Sequence, residues 1–256
     1  MLQSLAGQEV FTLAEGEGSS RLFVHCSLAR HESLIPLARA LPPARNIYFD
    51  MPGHGRSAEW NGSDYQTDVV DIAAQLLDGP AHLIGHSFGA TVALRLAAER
   101  PDLVSRLTLI EPVMFAAATD PEAIETHRAA FAAFVKAWTE GDRETAAKLF
   151  VAMWGTGPAW DDLPAKMRAM LAAQIHLIPA ASAAIEDDVH GVLGKLDRVT
   201  CPVDLIEGSN SQPIMSAILD GLAGALPQAQ RSVIEGAGHM VPITHIAQVA
   251  SVLQGR

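Results

Sequence analysis

Residues 81–101 read AHLIGHSFGATVALRLAAERP, and a serine stands there between two glycines. The run AHLIGH (81–86) is apolar enough for a strand buried on both faces. The run FGATVALRLAAER (88–100) repeats its apolar positions at helical spacing. Gly85, Ser87 and Gly89 therefore spell G-x-S-x-G at a strand-to-helix turn. So tight a turn projects the serine hydroxyl from the sheet edge, and the following helix N-terminus favours negative charge developing beside it. Ser87 is the candidate nucleophile, and it sets three requirements: a base, an acid that orients the base, and donors for an oxyanion.

Working outward, RLFVHC (21–26) and NIYFD (46–50) are short strand-like runs, with the helix-like HESLIPLARAL (31–41) between them. The turn formers of MPGHGRS (51–57) follow, then Ser63 or Asp64 as cap of a helix carrying Tyr65, Val69, Ile72, Ala73 and Leu76. VSRLTLI (104–110) is the next strand. Alternation at this spacing implies an α/β fold with a parallel sheet covered on both faces. From about residue 119 the strand signal stops. Three helices are expected, over 120–142, 143–155 and 163–178, the last stopped by Pro179. Alternation resumes with CPVDLIEG (201–208), IMSAILDGLAGAL (214–226) and AQRSVIEG (229–236), and a last helix is expected over about 242–253. The expected organisation is a core of residues 1–115 and 190–256 interrupted by a helical cap of 116–189.

With 256 residues and a net charge of −11, the chain can bury a large core and repels nucleic acid and anionic membrane. Its first residues lack the basic-then-apolar pattern of a signal peptide, and two cysteines, Cys26 and Cys201, are too few for a disulfide framework. The expectation is a soluble cytoplasmic protein with a small-molecule substrate and neither metal nor cofactor. A monomer and a homodimer both remain open.

The stretches VHCSLA (24–29), FDMPGHGRS (49–57), LIGHSFGA (83–90), LTLIEP (107–112) and IEGAGHMVP (234–242) resemble those of α/β-hydrolase-fold proteins with a helical cap. The resemblance implies an eight-stranded, mostly parallel sheet, with the cap inserted after the sixth strand. It also implies a nucleophile–acid–base order along the chain. In that family D-x-P-G-H-G-x-S is a structural loop, so Asp50, His54 and Arg56 take structural roles, as does His86 beside the nucleophile. The histidine comes last, which selects His239, since His245 falls within the final helical pattern. The oxyanion donors implied are the backbone N–H groups of Phe88 and Ser27. Cys26 stands where the family usually has glycine, and no base is placed to make that thiol a nucleophile.

The acid departs from the family pattern, which is glycine, two residues, then aspartate after the seventh strand. Here Gly208 is followed by Ser209, Asn210 and Ser211. Glu111, at the end of the sixth strand and fixed by Pro112, is the preferred replacement. Some branches of the family draw the acid from there. Glu207 and a weak dyad helped by Asn210 or a serine are the alternatives. For the pocket roof, Met114, Phe115 and Trp154 are the expected substrate contacts, and they suit a small to medium apolar group. These residues describe a serine hydrolase of the carboxylesterase kind, cleaving an ester, thioester or lactone through an acyl-enzyme. Two competing readings are a carbon–carbon bond hydrolase of the same fold and a ligand-binding protein without turnover. Aspartate-nucleophile chemistry is disfavoured by Ser87.

Overall fold

The computed structural model describes residues 1–255. Eight strands form one sheet in the order β1-β2-β4-β3-β5-β6-β7-β8. They are β1 (Leu2–Leu5), β2 (Gln8–Glu15), β3 (Ser20–Val24), β4 (Arg45–Phe49), β5 (Ala81–His86), β6 (Val104–Ile110), β7 (Val203–Gly208) and β8 (Ala229–Ile234). The first two, which the apolar pattern does not mark, add antiparallel at one edge, and the other pairings are parallel.

Helices connect the parallel strands: α1 (Ile35–Ala40), α2 (Tyr65–Gln75) and α3 (Phe88–Glu99) in the first half. Between β6 and β7 come α4 (Pro121–Thr139), α5 (Arg143–Trp154), α6 (Ala165–Gln174) and α7 (Leu177–Glu186). The chain closes with α8 (Pro213–Ala225), α9 (Val241–Thr244) and α10 (Ile246–Gln254). Asp64, rather than Ser63, caps α2 by accepting from Thr67 N–H at 3.1 Å.

The two-residue period of the strands builds a core on each face of the sheet. Leu22, Phe49, Leu83, Leu109 and Leu205 pack with α2, α3 and α8 on one side. Their neighbours Phe23, Tyr48, Ile84, Ile110 and Ile206 pack with α1 and α10 on the other. The segment between β6 and β7 has an apolar cluster of its own, including Phe134, Ala147, Trp160, Leu171 and Ile175.

Two expectations are corrected here. Pro179 does not stop a helix. α6 ends at Gln174, and Pro179 lies in the first turn of α7, where its missing N–H has no intrahelical acceptor to lose. The final helix is two helices broken at His245 (φ −128°, ψ 46°). No single helix among the described residues is long and apolar enough to cross a membrane. The bent pair α6–α7 passes that test only when joined.

Candidate active site

The carboxyl ends of β5, β6 and β8 converge, as ligand sites in open α/β sheets do. Ser87 follows β5 directly with φ 56° and ψ −120°, a conformation that costs about 1–3 kcal/mol for a residue with a Cβ. Its N–H is held by Ile110 O of β6 at 2.9 Å. The flanking glycines are steric necessities. A Cβ on Gly85 would stand 2.3 Å from Gly89 O, and one on Gly89 would stand 2.3 Å from Val24 O and 2.5 Å from His25 O. The turn is tight because the start of α3 lies directly against the end of β3.

Glu111 repeats this geometry one strand along. It follows β6 with φ 52°, and its N–H donates to Ile206 O of β7 at 2.8 Å. The side chain is fully buried. Its Oε1 accepts from Gly208 N–H at 2.7 Å and from the Ser211 hydroxyl at 2.7 Å. Its Oε2 accepts from His239 Nδ1–H at 3.0 Å. A proton on Nδ1 leaves the Nε2 lone pair facing Ser87 Oγ at 2.9 Å. Ser87, His239 and Glu111 thus form one continuous hydrogen-bonded chain.

The other acid candidates lie elsewhere. Glu207 accepts from Arg231 Nε at 2.6 Å. Burial raises its pKa against the pull of that guanidinium. Asn210 donates its side-chain amide to Gly236 O at 3.1 Å and its N–H to Ala237 O at 2.8 Å, closing the loop that precedes His239. Gly208 keeps a reason to be glycine, since a Cβ there would lie 2.2 Å from Ala237 O. The His245 ring pairs with Thr244, Nδ1 to Oγ1 at 2.8 Å, away from Ser87 and Glu111.

Three further buried histidines shape the surroundings of Ser87. His86 Nε2–H donates to His239 O at 2.8 Å and so fixes the backbone of His239. His25 Nδ1–H donates to Cys26 O at 2.8 Å while its Nε2 accepts from Met51 N–H at 3.0 Å. His54 Nε2 accepts from Leu28 N–H at 2.9 Å. Desolvation lowers their pKa values to about 3 for His86, about 4 for His25 and about 3 for His54. A neutral imidazole can accept a hydrogen bond where a cation cannot. His25 and His54 therefore hold residues 25–28 from both ends. The left-handed residue of this loop is Leu28 (φ 60°), not Cys26, which is how cysteine fits where the family pattern has glycine. Burial pushes the Cys26 thiol up to about 12, leaving it inert.

Asp50 ties the next loop, accepting from His31 N–H at 2.8 Å and from Arg56 N–H at 2.9 Å. Asp50 lies close enough to His31 and Glu32 for a shared ion, but these backbone donors already engage both its oxygens. The cluster reads as a loop brace.

Two cavities meet at Ser87, with Ser27, Phe150 and Trp154 shared between them. The first, about 480 Å³ with its mouth, is walled by Phe88, Val113, Phe115, Phe131, Ile178 and Ile185. The second, about 750 Å³ with its mouth, touches Cys26, Leu163, Met167, His239 and Met240. Ser27 and Phe88, the expected oxyanion donors, border the nucleophile, and Phe88 N–H opens α3 with no intrahelical acceptor. Phe115 lines the first cavity and Trp154 lines both, and the Trp154 ring stands 4.7 Å from that of His239, edge to face. Met114 does not. It is 1% exposed within the core cluster and lines neither cavity, because the chain alternates sides after Pro112 and presents Val113 and Phe115 instead.

Comparison with known proteins follows the same lines. The family described as alpha/beta hydrolase fold matches residues 22–246. The chain is similar to lipase LipV of Mycobacterium tuberculosis, 38% identical over 90 residues that span 34% of this chain and only 31% of that lipase. It is 30% identical to a pimeloyl-[acyl-carrier protein] methyl ester esterase of Chromobacterium violaceum over 77% of each chain. A thermophilic esterase of Thermogutta terrifontis superposes with a TM-score of 0.75 at 22% identity, over 100% of this chain and 96% of that one, a likeness of fold. With its family pattern matched over most of its length, the chain belongs to the α/β hydrolase fold family.

Proposed function

We propose that the protein is a serine hydrolase of a neutral, largely apolar carboxylic ester, thioester or lactone of small to medium size. The observation that carries this reading is the unbroken chain Ser87 Oγ–His239 Nε2, His239 Nδ1–Glu111 Oε2, at 2.9 and 3.0 Å, beneath an apolar cavity. His239 removes the Ser87 proton as Oγ attacks the acyl carbon. Ser27 and Phe88 N–H groups receive the oxyanion. His239 returns the proton to the departing oxygen or sulfur, and water then releases the acyl group by the same route in reverse order. Glu111 holds the imidazole in the Nδ1–H form and balances the charge it gains. The segment 116–189 acts as a cap, a role supported by its separate apolar cluster and by its residues in both cavity walls.

The cavity charges favour an ester over the dienoate of a carbon–carbon bond hydrolase. No lysine or arginine is among the residues lining either cavity. Among the described residues, the carboxylate lining them is Glu186, in the wall of the first. A substrate carboxylate would meet no lysine or arginine in these walls and one like charge.

Intact mass after treatment with a fluorophosphonate, with the modified peptide located, is the test. One stoichiometric adduct on Ser87, together with turnover of neutral p-nitrophenyl esters, supports the reading. A folded sample that takes no adduct overturns it in favour of a binding protein.

A further inference from the structure

The two cavities that share Ser87 differ in one respect that chemistry can use. The second is lined by His239 and Met240, and the first by neither. The first is lined by Phe88, and the second is not. In a collapsing tetrahedral intermediate the leaving atom must take its proton from His239 Nε2, so it departs on the imidazole side of Ser87. The carbon chain of the acyl group is then directed to the opposite side. Trp154 stands between, lining both cavities with its ring edge against the imidazole.

Resting on the esterase reading above, we propose that Trp154 partitions the site. The cavity walled by Val113, Phe115, Phe131, Ile178 and Ile185 is the acyl chamber, and that beside His239 and Met240 is the leaving-group chamber. The acyl chamber sets selectivity, because its walls are packed apolar side chains from the segment after β6, from α4 and from α7. The leaving-group chamber tolerates bulk. It shares Leu28, Ala29, Met167 and Leu171 with a broader groove of about 1800 Å³, running past Arg30, Gly53 and Gln174, so a large alcohol or thiol can extend outward. The substrate class is an apolar acyl group without a terminal anion, joined to a leaving group of unrestricted length.

The order of events separates the two chambers experimentally. When the Ser87–acyl bond has formed and the C–O bond to the alcohol has broken, the alcohol is gone and the acyl group remains. A block in the acyl chamber therefore changes both acylation and deacylation, whereas one in the leaving-group chamber changes acylation alone. Ser182 is half-buried on α7 in the first cavity, and Met167 is exposed on α6 in the second. Both accept a larger side chain with little demand on folding.

The experiment compares wild type, Ser182→Phe and Met167→Trp on acetyl and hexanoyl esters of p-nitrophenol and of 2-naphthol, with acylation and deacylation resolved by rapid mixing. Ser182→Phe is expected to lower the hexanoyl-to-acetyl ratio of kcat/KM roughly tenfold or more and to alter hexanoyl deacylation. Met167→Trp is expected to lower the naphthyl-to-nitrophenyl ratio and to act on acylation only. Ile178→Ala serves as the converse variant, raising the hexanoyl-to-acetyl ratio by enlarging the acyl chamber. The reverse pattern, with Ser182→Phe moving leaving-group preference and Met167→Trp moving acyl preference and deacylation, overturns the assignment while leaving the esterase reading intact. A wild-type chain that neither labels on Ser87 nor turns over any of the four esters overturns the reading itself, and the assignment with it.

Discussion

Ser211 donates its hydroxyl to Glu111 Oε1 at 2.7 Å across 100 positions of chain. Ser211 is the third residue after Gly208, the place where the family pattern puts an aspartate. The carboxylate that meets His239 stands instead at the neighbouring strand end, and the residue at the family's aspartate position supplies a donor that holds it. With Gly208 N–H engaging the same oxygen, Glu111 can present only Oε2 to His239.

Exchange of the acid tests this relationship. Glu111→Gln is expected to leave the fold intact and lower kcat by about 10³–10⁴-fold, the effect of losing the oriented tautomer. Adding Ser211→Asp to that variant places a carboxylate at the position of the family pattern and is expected to recover about tenfold or more. Steady-state kinetics of the single and double variants decide it. Activity surviving in Glu111→Gln but abolished in Glu207→Gln would transfer the role to Glu207.

The glycines of the elbow carry a steric prediction. Gly89→Ala places a methyl 2.3 Å from Val24 O, an atom of the sheet backbone with nowhere to move. The β3 loop must shift, and with it Ser27. The expected outcome is a drop of several kcal/mol in unfolding free energy or loss of soluble protein, since overpacking a closed site costs about 1–3 kcal/mol or more. Gly141→Ala is the control. Gly141 also has a positive φ (81°), but a Cβ there meets nothing within 4 Å, so its cost is backbone strain alone. Equal melting temperatures for the two variants would refute the close-approach argument.

Trp154 yields a graded prediction. Its edge-to-face contact with His239 belongs to a class of ring pairs worth about 0.5–1.5 kcal/mol. Trp154→Phe keeps a ring there and is expected to cost only a few-fold in kcat. Trp154→Ala frees the imidazole and joins the two cavities, and is expected to lower kcat by about tenfold or more while relaxing acyl-length preference. If both variants behave alike in kcat and in acyl preference, the ring does not support the base.

Much of this site is legible in the sequence because each member carries a local signal. Ser87 has its glycines, His239 follows a strand and a glycine pair near the end of the chain, and Glu111 precedes a proline that ends its strand. Ser211 is not legible in the same way. The pattern shows only that a carboxylate is missing, and a serine says nothing about a partner 100 residues away. Met114 was indistinguishable from Phe115 because the side of an irregular segment is decided by packing, not by periodicity. Pro179 carries the same ambiguity, since proline suits both the end of one helix and the first turn of the next. The N-terminal hairpin escapes because β1 is mostly exposed and β2, though its burial alternates, turns polar Gln8 and Thr12 inward beside Val10.

The buried histidines predict how stability responds to acid. His25, His54 and His86 have folded pKa values of about 4, about 3 and about 3, below an unfolded value of about 6.5. Their contribution is complete above about pH 6.5. As pH falls through the unfolded value, the unfolded chain binds protons that the folded chain refuses, and stability is lost until the folded values near 3–4 are reached. Each histidine contributes a slope of at most about 1.4 kcal/mol per pH unit in that window. Glu207 opposes the trend, because its carboxyl is raised by burial and gains protons earlier when folded. One carboxyl does not offset three imidazoles. Asp50, held below the usual carboxylate range against its own burial by hydrogen bonds from His31 and Arg56, extends the loss to lower pH. Protonated His25 and His54 can no longer accept from Met51 and Leu28 N–H, so the loop bearing Ser27 should loosen as the core destabilises. Urea unfolding at pH 7.5, 6.5, 5.5 and 4.5, paired with initial rates, is the measurement. A midpoint that falls steadily below pH 6.5 is expected, and one that stays flat to pH 4.5 would show that these imidazoles are not held neutral.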